Sequence, residues 1–221
     1  MKTVIFANGE LRDLAGARGM IEARDRLIAA DGGARHCRAM GLTPHVVVGD
    51  FDSLSPDERA DLERSGARMV AHPARKDETD LELALRLAIA ERAGDILVLG
   101  AFGGRWDQTL ANLLLLALFP STLPPAAGGA GAGPRLRLAD GAQQIYLIRG
   151  QAQIEGRIGD TVSLIPIGGD ARGVTTTGLE YSLTGGALPF GRTLGVSNVL
   201  VSEKATVTIR DGMVLCVVIS N

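Results

Sequence analysis

Residues 46–62 read VVVGDFDSLSPDERADL, and this stretch decides the fold. Val46 to Val48 is a short β-branched run of the kind that favours a strand, and Gly49-Asp50-Phe51-Asp52-Ser53 then breaks it with an acidic turn. Ser55-Pro56-Asp57-Glu58 opens a helix with a serine cap, proline at the first helical position and a glutamate placed to close a capping box. A strand, an acidic loop and a capped helix in succession form the repeating unit of an α/β domain with a largely parallel sheet.

The same alternation extends in both directions. Thr3 to Ala7 and Leu27 to Ala30 precede the central strand, and Arg68 to Ala71 and Ile96 to Leu99 follow it. Thr79-Asp80-Leu81-Glu82 is a second capping box, after which Leu81, Ala84, Leu85 and Ala88 recur with the period of one buried helical face. Leu110 to Phe119 is expected to form a helix buried on most sides, with Trp106 packed. Residues 120–134, PSTLPPAAGGAGAGP, lack core-forming side chains and read as a flexible linker that includes an insertion from Ala126 to Gly133. Beyond it the pattern turns to period two in QQIYLIRG, TVSLIPIGGD and KATVTIRDGMVLCVV, with Asp211-Gly212 expected as a hairpin turn. The expected organisation is a layered αβα domain over residues 1–122, a Gly/Ala/Pro-rich linker over 123–134 and an all-β sandwich over 135–221.

Composition narrows the function. The 221 residues hold 23 basic and 25 acidic side chains, a formal charge of -2, which lacks the electrostatic signature of a nucleic-acid or anionic-membrane binder. With 46% hydrophobic and 22% charged residues, the chain can bury a core. Cys37 and Cys216 stand alone, so neither a disulfide framework nor a zinc site is expected. The opening MKTVIFANGELRD lacks the apolar core of a signal peptide, and Leu110 to Phe119 falls short of the roughly 20 residues that span a bilayer. A soluble cytoplasmic protein is expected.

Ligands of open α/β sheets bind outside the carboxyl ends of the strands. The residues that follow each strand here are polar and mostly acidic: Asn8-Gly9, Asp31-Gly32-Gly33, Asp50-Phe51-Asp52-Ser53, Lys76 to Asp80, and Gly103-Gly104-Arg105-Trp106-Asp107. Carboxylates delivered to one rim repel one another unless a cation sits among them, and hard oxygen ligands suit Mg²⁺ together with substrate phosphates. Glycines let backbone N–H groups approach phosphate, and the planar fork of Arg105 can hold it through two bonds. Each motif alone has a plainer reading as a turn, a surface loop or a helix N-terminal charge, but five on one sheet edge point to a site. His36, His45 and His72 are scattered and carry no assigned chemistry. The P-loop, the dinucleotide-binding glycine fingerprint and the nucleophile elbow are all missing from the sequence. Nucleotide phosphates would therefore be handled by carboxylates, metal and glycine loops.

Several of these stretches carry a resemblance. DGGA at Asp31 to Ala34, VVGDFDS at Val47 to Ser53, KDETDLELAL at Lys76 to Leu85 and GAFGGRWDQTLANL at Gly100 to Leu113 resemble the successive signatures of the thiamine pyrophosphokinase family. GDTVSLIPI at Gly159 to Ile167, TTTGLEYSL at Thr175 to Leu183 and GVSN at Gly195 to Asn198 are similar to its thiamine-binding domain. The resemblance implies transfer of the diphosphoryl group of ATP to thiamine, giving thiamine diphosphate and AMP, with Mg²⁺. It implies catalytic roles for Asp50, Asp52, Asp80 and Asp107, with metal held by Asp50, Asp52 and Asp80. It implies ATP and phosphate contacts from Asp31, Gly32, Gly33, Ser53, Lys76, Asp77, Thr79, Gly104, Arg105 and Gln108, and thiamine contacts from Tyr181, Ser197 and Asn198. A homodimer with sites at the subunit interface is also implied. The proton acceptor stays open among Asp50, Asp80 and Asp107. An aspartyl-phosphate phosphatase, a pterin-alcohol diphosphokinase and a non-enzymatic Mg-nucleotide sensor are the competing readings.

Overall fold

The structure, a computed structural model, describes residues 1–119 and 133–221. Most of the expected linker and nearly all of the Ala126 to Gly133 insertion lie outside the described residues. The chain divides into two compact units, the first of which combines Met1–Phe119 with Leu138–Gly141. The second includes Ala142–Asn221.

In the first unit the elements run β1 (Lys2–Phe6), α1 (Leu14–Gly19), β2 (Arg26–Ala30), α2 (Ala34–Ala39), β3 (Val46–Gly49), α3 (Pro56–Arg64), β4 (Arg68–Ala71), α4 (Asp80–Ala90), β5 (Asp95–Leu99) and α5 (Trp106–Leu118). A further strand, β6 (Arg135–Asp140), lies beside β5, giving the order β6-β5-β1-β2-β3-β4. β1 pairs in parallel with β2 (Thr3 with Arg26) and with β5 (Lys2 with Asp95), and β3 joins β2 and β4 in the same sense. The chain therefore steps outward from β1 to β4 and returns to the other side of β1 for β5. Such a reversal opens a crevice at the carboxyl ends of β1 and β5.

The strands are buried on both faces, as parallel strands under helices are. Val4, Phe6, Leu27, Ala29, Val47, Leu97 and Leu99 share one core cluster, which also takes in Ala139 from beyond the expected linker. α4 lies against β1, β2 and β3. It buries Leu81, Ala84, Leu85 and Ala88, the face marked by the periodicity. Each of its two buried leucines contributes about 2 kcal/mol by area. Ser55 closes a complete capping box with Glu58 on α3. The second box is half-formed: Thr79 caps α4 by accepting from the Glu82 N–H, but the Glu82 carboxylate turns to Arg86 instead.

α5 departs from expectation. It buries Asn112 and Leu116, but Leu110, Leu114 and Leu118 are exposed and Trp106 is not packed. Its apolar residues circle the whole helix while the sheet covers only one side.

The second unit contains β7 (Gln143–Ile148), β8 (Gln151–Glu155), β9 (Thr161–Pro166), β10 (Ala171–Thr177), β11 (Gly186–Leu188), β12 (Asn198–Val199), β13 (Lys204–Thr208) and β14 (Val214–Ile219). Two antiparallel arrays, β12-β9-β14-β7 and β11-β10-β13-β8, face each other across Ile148, Ile154, Leu164, Val174, Val207 and Cys216. Strict alternation of burial along β8 and β13 confirms the period-two reading. The Asp211-Gly212 hairpin is not formed. β13 pairs with β8 and β10, whereas β14 pairs with β7 and β9, so the turn carries the chain from one sheet to the other. Both cysteines are free and buried, and no helix among the described residues is long and apolar enough to cross a membrane.

Candidate active site

The loops at the carboxyl ends of β1, β2, β3 and β5 enclose a cleft of about 550 Å³, a size suited to a nucleotide. Two of its turns carry non-glycine residues in the left-handed region, Asp31 (φ 45°) after β2 and Phe51 (φ 64°) after β3. That conformation costs on the order of 1 kcal/mol and persists only when neighbours impose it. Burial of the Phe51 ring, with the Arg59 guanidinium 5.1 Å from its centre, imposes it on the β3 turn. Asp50 and Asp52 are thereby set in one turn, where the Asp52 N–H donates to Asp50 Oδ1 at 3.2 Å. Ser53 Oγ accepts from Asn8 at 3.2 Å. Gly49 (φ 153°) lies where a Cβ would stand 3.1 Å from both Asp31 Cβ and Asp80 Cγ, so any side chain there would wedge two carboxylates apart.

The turn is also gripped from outside. Arg35 on α2 holds Glu58 through a two-point fork at 2.7 and 3.0 Å, and its Nη2 also donates to the Ser53 carbonyl. The Arg35 hydrogen bond, helped by the Ser55 N–H, holds the Glu58 carboxyl down at about 2.

Asp31, Asp50 and Asp52 each offer a carboxylate oxygen, and these atoms lie within 4.8 Å of one another. Asp31 Oδ1 is buried with no hydrogen-bond partner among the described residues. Three hard oxygens, one of them desolvated and unpaired, fit a divalent cation of the Mg²⁺ type. Lys76 Nζ stands 3.0 Å from Asp80 and 3.6 Å from Asp50. Burial works against its ammonium charge, but the two carboxylates outweigh that and raise its pKa. Burial also raises the Asp80 carboxyl, against the pull of Lys76.

Of the residues singled out in the sequence, Asp31, Asp50, Asp52, Ser53, Lys76, Thr79, Asp80, Gly104, Arg105 and Gln108 line the cleft. Four do not. Asp77 is exposed on the loop before α4. Gly32 and Gly33 are buried against β1, where a Cβ on Gly33 would collide with the Phe6 carbonyl oxygen; they serve chain packing. Asp107 lies outside the lining, paired with Arg105, whose fork holds its carboxyl below the usual range. Of the three carboxylates open as proton acceptors, Asp50 and Asp80 therefore face the cleft. The structure adds Glu10, which accepts from the Gly104 N–H at 3.1 Å, and Asn112, whose Nδ2 donates to the Ala101 carbonyl at 2.8 Å. The remaining histidines are structural: His36 contacts the Gly9 carbonyl oxygen at 2.8 Å, and His45 Nδ1 accepts from the Leu27 N–H.

On the second unit, Tyr181, Ser197 and Asn198 come together. Asn198 accepts from the Tyr181 N–H at 3.0 Å and donates to its carbonyl at 2.7 Å. Ser197 (φ 62°) donates its N–H to Ser163 Oγ. The Tyr181 ring is 67% exposed, a free face held on a fixed backbone.

Fold and cleft together define an α/β enzyme class that handles phosphate through carboxylates and a lysine, without a P-loop. Residues 17–123 match the family model "Thiamin pyrophosphokinase, catalytic domain", and residues 148–214 match "Thiamin pyrophosphokinase, vitamin B1 binding domain". The thiamine pyrophosphokinase of Bacillus subtilis is 30% identical over 220 residues, 98% of each chain. The crystal structure of that enzyme superposes with a TM-score of 0.83 at 27% identity, covering 100% of both chains. The Geobacillus thermodenitrificans thiamin pyrophosphokinase gives 0.82 at 26% identity, covering 100% of this chain and 98% of that one. The chain belongs to the thiamin pyrophosphokinase family.

Proposed function

We propose that the protein transfers the diphosphoryl group of ATP to the hydroxyethyl oxygen of thiamine, releasing thiamine diphosphate and AMP. The observation that carries the reading is the acidic, lysine-bearing cleft of a catalytic-domain match, in one chain with a vitamin B1 binding-domain match. The thiamine oxygen forms a bond to Pβ, the bond from Pβ to the oxygen bridging to Pα breaks, and AMP leaves with that oxygen. The hydroxyl proton passes to a cleft carboxylate, Asp50 or Asp80.

In such transfers the protein positions groups and neutralises charge. Asp31, Asp50 and Asp52 would hold Mg²⁺, which when bound offsets the phosphate charge. Lys76 brings its ammonium to the same cleft, and Arg105 at the mouth exchanges Asp107 for a phosphate oxygen. Tyr181 stacks on the aminopyrimidine ring of thiamine, with Ser197 and Asn198 supplying polar contacts. The working unit is a homodimer whose thiamine site is shared between chains, acting in the cytoplasm, where the two buried thiols stay reduced.

The test is formation of AMP from ATP in the presence and absence of thiamine, with thiamine diphosphate identified as product. Thiamine-independent turnover sinks the proposal. A phosphoaspartate trapped at Asp50 would point instead to a phosphatase.

A further inference from the structure

Four large apolar side chains on α5 lie in water. Trp106, Leu110, Leu114 and Leu118 are 80%, 57%, 57% and 54% exposed. They follow one another at intervals of four, so they stack as one ridge along a 13-residue helix whose buried face carries Asn112 and Leu116. Single exposed leucines are ordinary on a protein surface, but a contiguous apolar ridge marks a contact.

We propose that this ridge is an interface and that its occupant is the same ridge of a second copy of the chain. The inference rests on the homodimer reading above for the number of copies, and it adds the surface that joins them. Three features favour a second copy. Evenly spaced knobs read the same from either end, so a two-fold axis between Leu110 and Leu114 sets Leu110 against the partner's Leu114 and Trp106 against the partner's Leu118. Ridges of this i, i+4 type interdigitate at a crossing of about -50°. No charged residue occurs from Thr109 to Leu118, so no like charges meet when the face is duplicated across the axis. The four side chains expose on the order of 500 Å², most of the roughly 800 Å² per partner in a stable interface. A lipid surface is a poorer match, because the helix lacks the lysine and arginine flank of an interfacial helix.

The test is the mass of the whole protein in solution, by sedimentation, for the wild type and for a Leu110→Glu/Leu114→Glu double variant. The wild type is expected at twice the 23.1 kDa chain mass. The double variant should fall to the chain mass with an unchanged far-UV spectrum, its association weakened by at least about 100-fold. Independently, Leu114→Cys should give a covalent dimer with a short bismaleimide, since Cys37 and Cys216 are buried. A dimer that survives both glutamates, with no cross-link at residue 114, overturns the α5 interface while leaving the dimer reading intact. A wild type that is monomeric at all concentrations overturns both. Flotation of that monomer with phosphatidylcholine vesicles would assign the ridge to lipid instead.

Discussion

Asp50 and Asp52 share a strained turn beside the buried, unpaired oxygen of Asp31, so each adds charge to a site already crowded with it. Replacing either by asparagine is expected to lower AMP formation by at least about 100-fold, the scale lost when an electrostatic contributor at a transition state is removed. The melting temperature should hold or rise, because one repelling charge is gone. Turnover near wild type at saturating Mg²⁺ would take these residues out of the site. Arg105→Lys keeps the charge but loses the planar fork, and the KM for ATP should rise about 10-fold, consistent with loss of a two-point phosphate contact. Unchanged kinetics would mean that the Arg105–Asp107 pair is only a surface feature. These residues were legible because two carboxylates in a short turn, or Gly-Gly-Arg before a helix, are unusual patterns. Gly32 and Gly33 were misread because a glycine admits a ligand or a neighbouring strand equally well, and only the fold shows Phe6 pressed against it. Asp77 was misread because Lys76 to Asp80 is uniformly polar, and only the start of α4 decides which side chains turn inward. Glu10 was missed altogether, since its partner Gly104 lies 94 residues away in sequence.

At the level of elements, α2 and α3 lock the β3 turn through Arg35 and Glu58. The Glu58 carboxyl is held at about 2 in the folded protein, below the roughly 4.3 of a free glutamate. A depressed folded value gives stability that is fully present above the unfolded pKa and is lost as pH falls through the folded one. Glu58→Gln should therefore destabilise the protein at pH 7 by about 0.5 kcal/mol, the solvent-screened scale of such a pair. The difference should shrink below about pH 4 and vanish near pH 2, as read from urea unfolding at each pH. A deficit that persists undiminished in acid would exclude the ion pair as its source. Caps are visible in sequence because Ser55 and Glu58 act within one turn of each other. The reach of Arg35 across 23 residues is not. Nor is the fate of Asp211-Gly212: the turn chemistry is local, but whether the strands after it pair or part is settled by which sheet each joins. α5 failed for a related reason, since a helix apolar all round looks the same in sequence whether the fold covers one side of it or all.

Across the whole molecule, the shared-site dimer predicts complementation. Asp80→Asn and Asn198→Ala should each be inactive alone, the second because Tyr181 loses its backbone anchor. Mixed and allowed to exchange, they should recover roughly a quarter of wild-type turnover, since random pairing of two protomers leaves one composite site intact in half the dimers. No recovery after demonstrated exchange rules out a site shared between chains. The broad two-part plan was legible from the switch of period after Pro134, but the return of Leu138–Gly141 to the first unit was not, because a strand carries no mark of which sheet it will enter. The sheet order also bears on how the protein is made. β1 sits between β2 and β5, so its second edge waits until Asp95–Leu99 has been synthesised. At about 5–20 residues per second that wait lasts several seconds on the ribosome. Throughout it, the strand Lys2–Phe6 presents one unpaired apolar edge, making the nascent chain most vulnerable to aggregation, and most in need of a chaperone, just before the loop that follows β5 emerges.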